Sequence, residues 1–169
     1  MDKNIVLIGM MGSGKTTVGK LLSRHLHRPF ADTDALIEER EGRSIPDIFA
    51  QDGEDFFRAL ELKLSLELSE KSGLVIACGG GLPMQSEAIA ALKENGLVFW
   101  LDRDPGETYD GLNVSHRPLA RSGRKDFIGR YQARAPIYRK WSDHVIRAES
   151  PQEAEALIAA IIFSEVSQA

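Results

Sequence analysis

The sequence predicts an α/β fold in which helices cover both faces of a parallel sheet. Short apolar runs at residues 5–8, 74–78 and 97–101 alternate with segments of helical periodicity. Continuous runs of this kind are typical of strands that are buried on both faces. With 169 residues, of which 43% are hydrophobic, the chain is long enough for a sizeable core, and we expect residues 1–169 to form one domain.

Helical and extended segments follow one another along the whole chain. A helix is predicted over 15–27, ended by Pro29, and the long helix that starts at Gly53 places Phe56, Leu60, Leu64 and Leu68 on one apolar stripe. The remaining predicted elements are a strand at 29–31, helices at 35–40, 46–50 and 86–95, a weak helix after 105, a helix at 125–140, a strand at 144–146, and a last helix that a capping box opens at 150–153.

The first turn, residues 9–16, fits the phosphate-binding pattern G-x-x-x-x-G-K-[ST] between a strand and a helix. Its glycines allow successive N–H groups to surround a phosphate at the positive end of the helix. Lys15 is predicted to reach the β- and γ-phosphates and the Thr16 hydroxyl to bind Mg²⁺. The alternative is a glycine-rich turn without a ligand. The predicted ATP-binding residues here are Gly12, Ser13, Gly14, Lys15, Thr16 and Thr17.

Two carboxylates follow the second strand. Asp32 and Asp34 are two residues apart, so on an extended chain they face the same side, where open α/β sheets bind ligands. They are suited to hold the water of a Mg²⁺ ion and a substrate hydroxyl. In the alternative, Asp34 caps the helix at 35–40 and Asp32 is a turn residue.

Further candidates lie beyond residue 50. Arg58 stands off the predicted apolar stripe, where an exposed ion pair with Glu54 or Glu61 is the alternative to a functional role. Gly79, Gly80 and Gly81 follow a strand and suggest a close approach of a ligand to the backbone, or else a tight turn. Cys78 is interpreted as a small buried residue. Residues 111–124 lack apolar periodicity and are a candidate lid, in which His116 is expected to be solvated.

Composition excludes several classes of protein. The net charge is −4 without a basic stripe, which argues against nucleic acid as the main partner. A single cysteine rules out an internal disulfide and a cysteine-based zinc cluster. We see no signal peptide and no run long enough to span a membrane, so we expect a cytoplasmic protein, and we expect a monomer.

Taken together, the motifs resemble the shikimate kinase family, in the nucleoside-monophosphate-kinase-like branch of P-loop NTPase folds. The matching segments come in the family's order and span most of the chain. The phosphate loop alone indicates only nucleotide binding, whereas its combination with the other segments is far more specific. The matching segments are 9–17, 32–34, 42–45, 52–54, 57–61, 79–81, 117–119 and 134–138.

The resemblance implies a three-layer α/β/α fold with a five-stranded parallel sheet, a substrate-binding lobe at about 34–61 and a lid near 112–123. It implies transfer of the γ-phosphoryl group of ATP to the 3-hydroxyl of shikimate, a step of aromatic amino-acid biosynthesis. The roles it implies are carboxylate binding by Arg58 and Arg134, hydroxyl binding by Asp34, a pocket lined by the backbone of Gly79, Gly80 and Gly81, contact of Asp32 with Mg²⁺ through water, and closure of Arg117 over the phosphates.

The chemistry of phosphoryl transfer is consistent with these roles. Lys15, Arg117 and Mg²⁺ would stabilise the charge on the transferring group, and Asp34 is the candidate to orient or deprotonate the attacking hydroxyl. One departure is that many members carry an arginine before the lid that packs on the adenine. Here residues 108–111 read Thr-Tyr-Asp-Gly, and Tyr109 is the alternative stacking surface.

Two other functions are compatible with the same phosphate-binding loop. Another small-molecule kinase, such as a gluconate kinase, would keep the phosphate loop without needing Arg58 and Arg134. A nucleotide-gated switch without catalysis is the second rival. A GTPase would be expected to carry an Asn-Lys-x-Asp motif, which the sequence lacks, and Lys15, Asp34 and Arg117 are all present.

Overall fold

The computed structural model describes residues 3–112 and 122–168, and the strands among them form a five-stranded parallel sheet in the order β2-β3-β1-β4-β5. The predicted α/β class is therefore confirmed. The strands are β1 Asn4–Ile8, β2 Phe30–Asp32, β3 Val75–Ala77, β4 Gly96–Leu101 and β5 His144–Ile146. The helices are α1 Lys15–Leu26, α2 Thr33–Glu41, α3 Ile45–Asp52, α4 Glu54–Ser69, α5 Ser86–Glu94, α6 Pro105–Asp110, α7 Arg124–Trp141 and α8 Pro151–Gln168, with a 3₁₀ turn at Leu82–Met84.

Strand β1 is central, and its side chains divide the interior in two. Val6 and Ile8 face a core that includes residues of α4, α5 and α7, whereas Ile5 and Leu7 face a core with residues of α1 and α8. All four side chains are fully buried. Because successive side chains of a strand point to opposite faces, an uninterrupted apolar strand needs helices on both sides.

A buried polar side chain joins the start of β1 to the segment before β3. Asn4 is inaccessible to solvent, and its Oδ1 accepts a 2.9 Å hydrogen bond from the Leu74 backbone N–H. Its Nδ2 donates to the Lys71 carbonyl oxygen at 2.8 Å. These bonds satisfy the buried amide and tie together two segments that are distant in the sequence.

The predicted apolar stripe of α4 is wrong by one residue at its start. Phe56 is 38% exposed, whereas Phe57 is 4% exposed and packs in the core. In a helix with 3.6 residues per turn, each step of four residues turns about 40° more than a full turn. Residues at every fourth position therefore drift around the helix and do not stay on one face. The residues on the buried face of α4 are Phe57, Glu61, Leu64, Ser65 and Leu68.

Two helix ends also differ from the predictions. Helix α1 ends at Leu26 because His27 adopts a left-handed conformation with φ of 52°, before Pro29 is reached. The cap of α2 is Asp32, whose side chain accepts from the Ala35 backbone N–H, while Asp34 lies inside the first turn. Among the described residues, no helix has the length and apolar content that a membrane span requires.

Candidate active site

The phosphate-binding loop leaves the carboxyl end of β1 through glycines in conformations that other residues resist. Gly9, Gly12 and Gly14 have φ values of 144°, 77° and 97°. A Cβ on Gly9 would lie 2.7 Å from the Leu101 carbonyl oxygen, so a side chain is excluded there by contact as well. The backbone path of this turn therefore requires the two glycines of the pattern, Gly9 and Gly14, and also Gly12.

The Lys15 ammonium group lies over this loop. Its Nζ donates hydrogen bonds to the carbonyl oxygens of Gly9 and Met10, both at 2.8 Å. Ser13 is buried, and its Oγ is the one buried side-chain polar atom of the described residues that lacks a hydrogen-bond partner. Thr16 and Thr17 follow in the first turn of α1 and are exposed.

Asp32 joins the end of β2 to the first turn of α1. Its Oδ2 accepts a 2.7 Å hydrogen bond from the Thr16 hydroxyl, and its Oδ1 accepts a 3.1 Å bond from the Ala35 N–H. The cap of α2 is therefore Asp32 and not Asp34, as the alternative interpretation had it, and the role of Asp32 at a metal stays a prediction. The hydroxyl and carboxylate oxygens are hard donors of the kind that Mg²⁺ binds.

Asp34 lies in the first turn of α2 rather than on an extended chain, because the cap at Asp32 starts the helix two residues earlier than predicted. Burial, followed by the charge of Asp32, raises the pKa of Asp34 to about 6, while Lys15 and Arg58 act in the opposite direction. The carboxyl group lies against Gly79, where a Cβ would be 2.5 Å from Asp34 Oδ1.

Thr33 shapes the same place and was not anticipated from the sequence. It is fully buried, and its Oγ1 accepts a 2.9 Å hydrogen bond from the Gly79 backbone N–H. The bond links the start of α2 to the end of β3 beside Asp34. A polar residue between two acidic ones in the Asp-Thr-Asp segment was the only signal for it.

Arg58 is held by two carboxylates of its own helix. Its guanidinium group is bonded to Glu61 through Nη1 and lies 3.4 Å from Glu54 Oε1. The pair with Glu54 is the exposed ion pair of the alternative interpretation, whereas Glu61 is 1% exposed and its pair with Arg58 is not. Burial raises the pKa of Glu61 to about 7, against the opposing effect of Arg58.

Arg134 reaches the same segment from α7. A Cβ on Gly80 would lie 3.5 Å from Arg134 Nη1, and burial raises the pKa of Tyr138 against the smaller, opposite effect of the Arg134 charge. Tyr138, which is fully buried, donates a hydrogen bond to the Gly80 carbonyl oxygen at 2.6 Å. Arg134 and Tyr138 therefore both lie against Gly80.

Gly81 completes the series, since a Cβ there would lie 2.6 Å from Arg58 Nη2. Three successive glycines thus touch three side chains that the sequence analysis selected from α2, α7 and α4, namely Asp34, Arg134 and Arg58. A tight turn alone does not require this arrangement. The glycines leave room for polar groups to approach the backbone.

Other candidates lie apart from this cluster or outside the described residues. Arg117 and His116, with most of the lid predicted at 112–123, fall among residues that the structure does not describe. Cys78 is buried, which raises the pKa of its thiol and agrees with a packing role. The Tyr109 ring packs against Phe127 with centroids 5.7 Å apart, and its contact with adenine stays a prediction.

A phosphate loop at the end of β1, together with a half-buried carboxyl group and two arginines around the glycines that follow β3, is typical of a P-loop kinase that acts on a small anionic molecule. The comparisons with known proteins specify the family. Residues 11–165 match the family model described as shikimate kinase. The chain belongs to the shikimate kinase family, whose members are ATP-dependent kinases that phosphorylate a hydroxyl group of shikimate.

Individual relatives agree with this assignment. The chain is 46% identical to a shikimate kinase of Symbiobacterium thermophilum over 142 residues, which cover 80% of each chain. A shikimate kinase of Acinetobacter baumannii, solved in complex with shikimate, superposes with a TM-score of 0.89 at 33% identity and covers 99% of this chain and 95% of its own. A shikimate kinase of Aquifex aeolicus superposes with a TM-score of 0.85 at 37% identity and covers 96% of this chain and 98% of its own.

The rival gluconate kinase is not favoured by these comparisons. A gluconokinase of Sinorhizobium meliloti superposes with a TM-score of 0.59 at 16% identity, with 99% of this chain and 97% of the other covered. At that identity the likeness concerns the fold alone. The chain is therefore a shikimate kinase rather than a gluconate kinase or a switch without catalysis.

Proposed function

We propose that Arg58 and Arg134 hold the carboxylate of shikimate while Asp34 meets the 3-hydroxyl that receives the γ-phosphoryl group of ATP. The observation that carries this proposal is the contact of these three side chains with Gly81, Gly80 and Gly79. Guanidinium groups bind carboxylates by charge-assisted, two-pronged hydrogen bonds. The backbone of the three glycines forms the floor of the acceptor pocket.

Asp34 orients and deprotonates the attacking hydroxyl in this proposal. With a pKa of about 6, the carboxyl group is mainly ionised at pH 7 and accepts a hydrogen bond from the acceptor. A base with a pKa near the working pH takes up a proton most effectively. The same residue helps to place the acceptor, so both kcat and the use of shikimate depend on it.

The donor side of the reaction is assigned to the phosphate loop and α1. The N–H groups of residues 12–17 cradle the ATP phosphates, and the Lys15 ammonium group moves from the loop carbonyls to the phosphate oxygens. Arg117 adds a second positive charge from the lid. Thr16 would hold Mg²⁺ directly and Asp32 through a water molecule, and the ion would supply charge neutralisation at the phosphates.

We place the acceptor lobe at about 34–61 and the lid at 112–123 of one domain, residues 1–169. We also propose a monomeric cytoplasmic enzyme whose partners are ATP and shikimate alone. The net charge of −4 and the single buried cysteine agree with a reducing compartment and with small-molecule partners. Light scattering coupled to size-exclusion chromatography measures the oligomeric state directly.

The carboxylate clamp consists of Arg58 and Arg134, and its removal is the decisive test. Arg134→Ala should lower kcat/KM for shikimate by about 10- to 100-fold, which corresponds to roughly 1.5–3 kcal/mol for a charge-assisted hydrogen bond. For Arg58 the variant should be the pair Arg58→Ala and Glu61→Gln, because the single change would leave a buried carboxylate without its cation. KM for ATP should hardly change in either case.

The amide of shikimate serves as the matched probe. The wild-type enzyme should phosphorylate it about 10- to 100-fold less efficiently than shikimate, and the arginine variants should discriminate much less, since the partner of the carboxylate is already gone. Equal use of amide and acid by the wild-type enzyme would remove the clamp and the assignment of the acceptor pocket with it.

A further inference from the structure

The carboxylate of Glu61 has a second partner, which is not part of the carboxylate clamp of Arg58 and Arg134. Gln85 Nε2 donates a 3.0 Å hydrogen bond to Glu61 Oε1, the same oxygen that Arg58 Nη1 contacts. Gln85 is half-buried and lies between the 3₁₀ turn Leu82–Met84 and α5. Hydrogen bonds thus connect Gln85, Glu61 and Arg58, from the turn after the glycines to the guanidinium group.

The hydrogen bond from Gln85 restricts the position of the Glu61 carboxylate in a way that Arg58 alone does not. Arg58 and Glu61 are on the same helix, so a bond between them leaves the carboxylate free to follow the arginine. Gln85 belongs to a different segment, which follows Gly81 directly and therefore moves with the pocket floor. A donor from that segment fixes Oε1 relative to the glycines that shikimate would contact.

We propose that Gln85 is a positioning residue for the acceptor carboxylate, which acts through Glu61 to fix the guanidinium group of Arg58 above Gly81. The proposal rests on the function proposed above for Arg58. Gln85 itself touches neither the acceptor nor the nucleotide. It sets the orientation of the arginine, and so the affinity for the acceptor rather than for ATP.

The backbone of Gln85 has its own roles, which a change of side chain leaves intact. Its N–H donates to the Leu82 carbonyl oxygen at 3.0 Å, and its carbonyl oxygen accepts from the Ile89 N–H at 3.2 Å. A substitution that keeps the length of the side chain therefore tests the amide group without removing the turn. Methionine has the length of glutamine and lacks the donor.

Gln85→Met should raise KM for shikimate about 3- to 10-fold, the range expected for one net hydrogen bond, with KM for ATP and the thermal unfolding midpoint nearly unchanged. Gln85→Glu should raise KM for shikimate further, because a second carboxylate would face Glu61 and compete for Arg58. Gln132→Met, an exposed change on α7, is the matched control and should leave both constants as they are.

A double-mutant cycle separates this proposal from the one on which it rests. In an Arg58→Ala, Glu61→Gln background, Gln85→Met should no longer change KM for shikimate, since the guanidinium group that it positions is absent. An equal effect in both backgrounds, a parallel change in KM for ATP, or no effect of Gln85→Met in the wild type would overturn the role of Gln85. Failure of the Arg58→Ala, Glu61→Gln pair itself to affect shikimate would instead overturn the carboxylate clamp.

Discussion

The Thr16 hydroxyl and Asp32 Oδ2 are hydrogen-bonded at 2.7 Å, and this bond joins α1, the helix after the phosphate loop, to the end of β2. Both oxygens lie where the proposed Mg²⁺ ion would contact the protein. If the proposal holds, Asp32 serves both the metal ion and the α2 cap, and one substitution can separate the two roles.

Asp32→Asn should raise the Mg²⁺ concentration needed for half-maximal turnover and leave thermal stability nearly unchanged. Asparagine caps helices as well as aspartate does, so the bond from Ala35 is retained, whereas the negative charge that attracts a hydrated cation is lost. The measurement is the initial rate against Mg²⁺ at fixed ATP. A normal Mg²⁺ dependence with impaired use of shikimate would mean that Asp32 and Asp34 have exchanged roles.

The raised pKa of Asp34 predicts a loss of kcat/KM for shikimate as the pH falls through about 6, because protonation removes the base and the hydroxyl acceptor. Asp34→Asn should have a much lower kcat at every pH and lack that limb of the profile, while an ATP analogue still binds. A wild-type profile that is flat between pH 5 and pH 8 would contradict a titrating Asp34.

The same pKa shift has a consequence for stability whose sign is opposite to that for activity. Between the unfolded value of 3.8 and about 6, the native state binds the Asp34 proton more tightly, so the free energy of unfolding falls as the pH rises through this range. At pH 8 Asp34→Asn should therefore be more stable than the wild type. Chemical denaturation of both proteins at pH 5 and pH 8 measures the difference.

Gly81→Ala should impair the use of shikimate more than it impairs folding. The φ of Gly81 is −92°, which any residue adopts, but the added Cβ would lie 2.6 Å from Arg58 Nη2 and would displace the guanidinium group. We expect kcat/KM for shikimate to fall by about 10-fold, equivalent to the loss of one charge-assisted hydrogen bond, with little change in the thermal midpoint.

Gly129→Ala is the control for that experiment. Gly129 is inside α7, and among the described residues no atom outside its chain neighbours and the adjacent helix backbone lies within 4 Å of the position that its Cβ would take. The change should stabilise the protein by about 0.5–1 kcal/mol through helix propensity and leave the kinetics unaltered. If Gly81→Ala leaves the kinetics equally unaltered, Arg58 is not held where the acceptor carboxylate is proposed to bind.

Lys15→Ala should lower kcat by about 100- to 1,000-fold, the range for removal of one group that stabilises charge in a transition state. The fold should persist, because Lys15 is only partly buried and its ammonium group bonds to carbonyl oxygens of the phosphate loop. Circular dichroism and a coupled assay for ADP release check the two expectations. Turnover near the wild-type level in a folded variant would remove the phosphate-loop assignment.

Local patterns in the sequence were sufficient for the order of the helices and strands and for the choice of candidate residues around the glycines at 79–81. The strand, turn and helix around Lys15 are encoded within a few residues, and the glycines at 79–81 directly follow an apolar run. Which of Asp32 and Asp34 caps α2 was not predictable, since both are aspartates and both positions fit a cap. The structure decides it by the Ala35 hydrogen bond.

Contacts between distant segments account for what the sequence did not provide. Glu61 occupies the buried stripe of α4 because the period 57, 61, 64, 68 keeps one face, and a charged residue on such a stripe is a signal for a buried partner. Its partner Gln85 lies 24 residues further on. The pairing of Thr33 with Gly79 is likewise set by the adjacency of β2 and β3 in the sheet.

The Asn4–Leu74 hydrogen bond spans 70 residues of sequence, and the whole of α1 to α4 must be accommodated before β1 and β3 can pair. Parallel pairing of this kind is slow because a long loop has to close before any stabilising contact forms. The phosphate loop follows β1 and the three glycines follow β3, so the pairing of these two strands brings the two segments together. During refolding, the helical circular dichroism signal should therefore recover before catalytic activity.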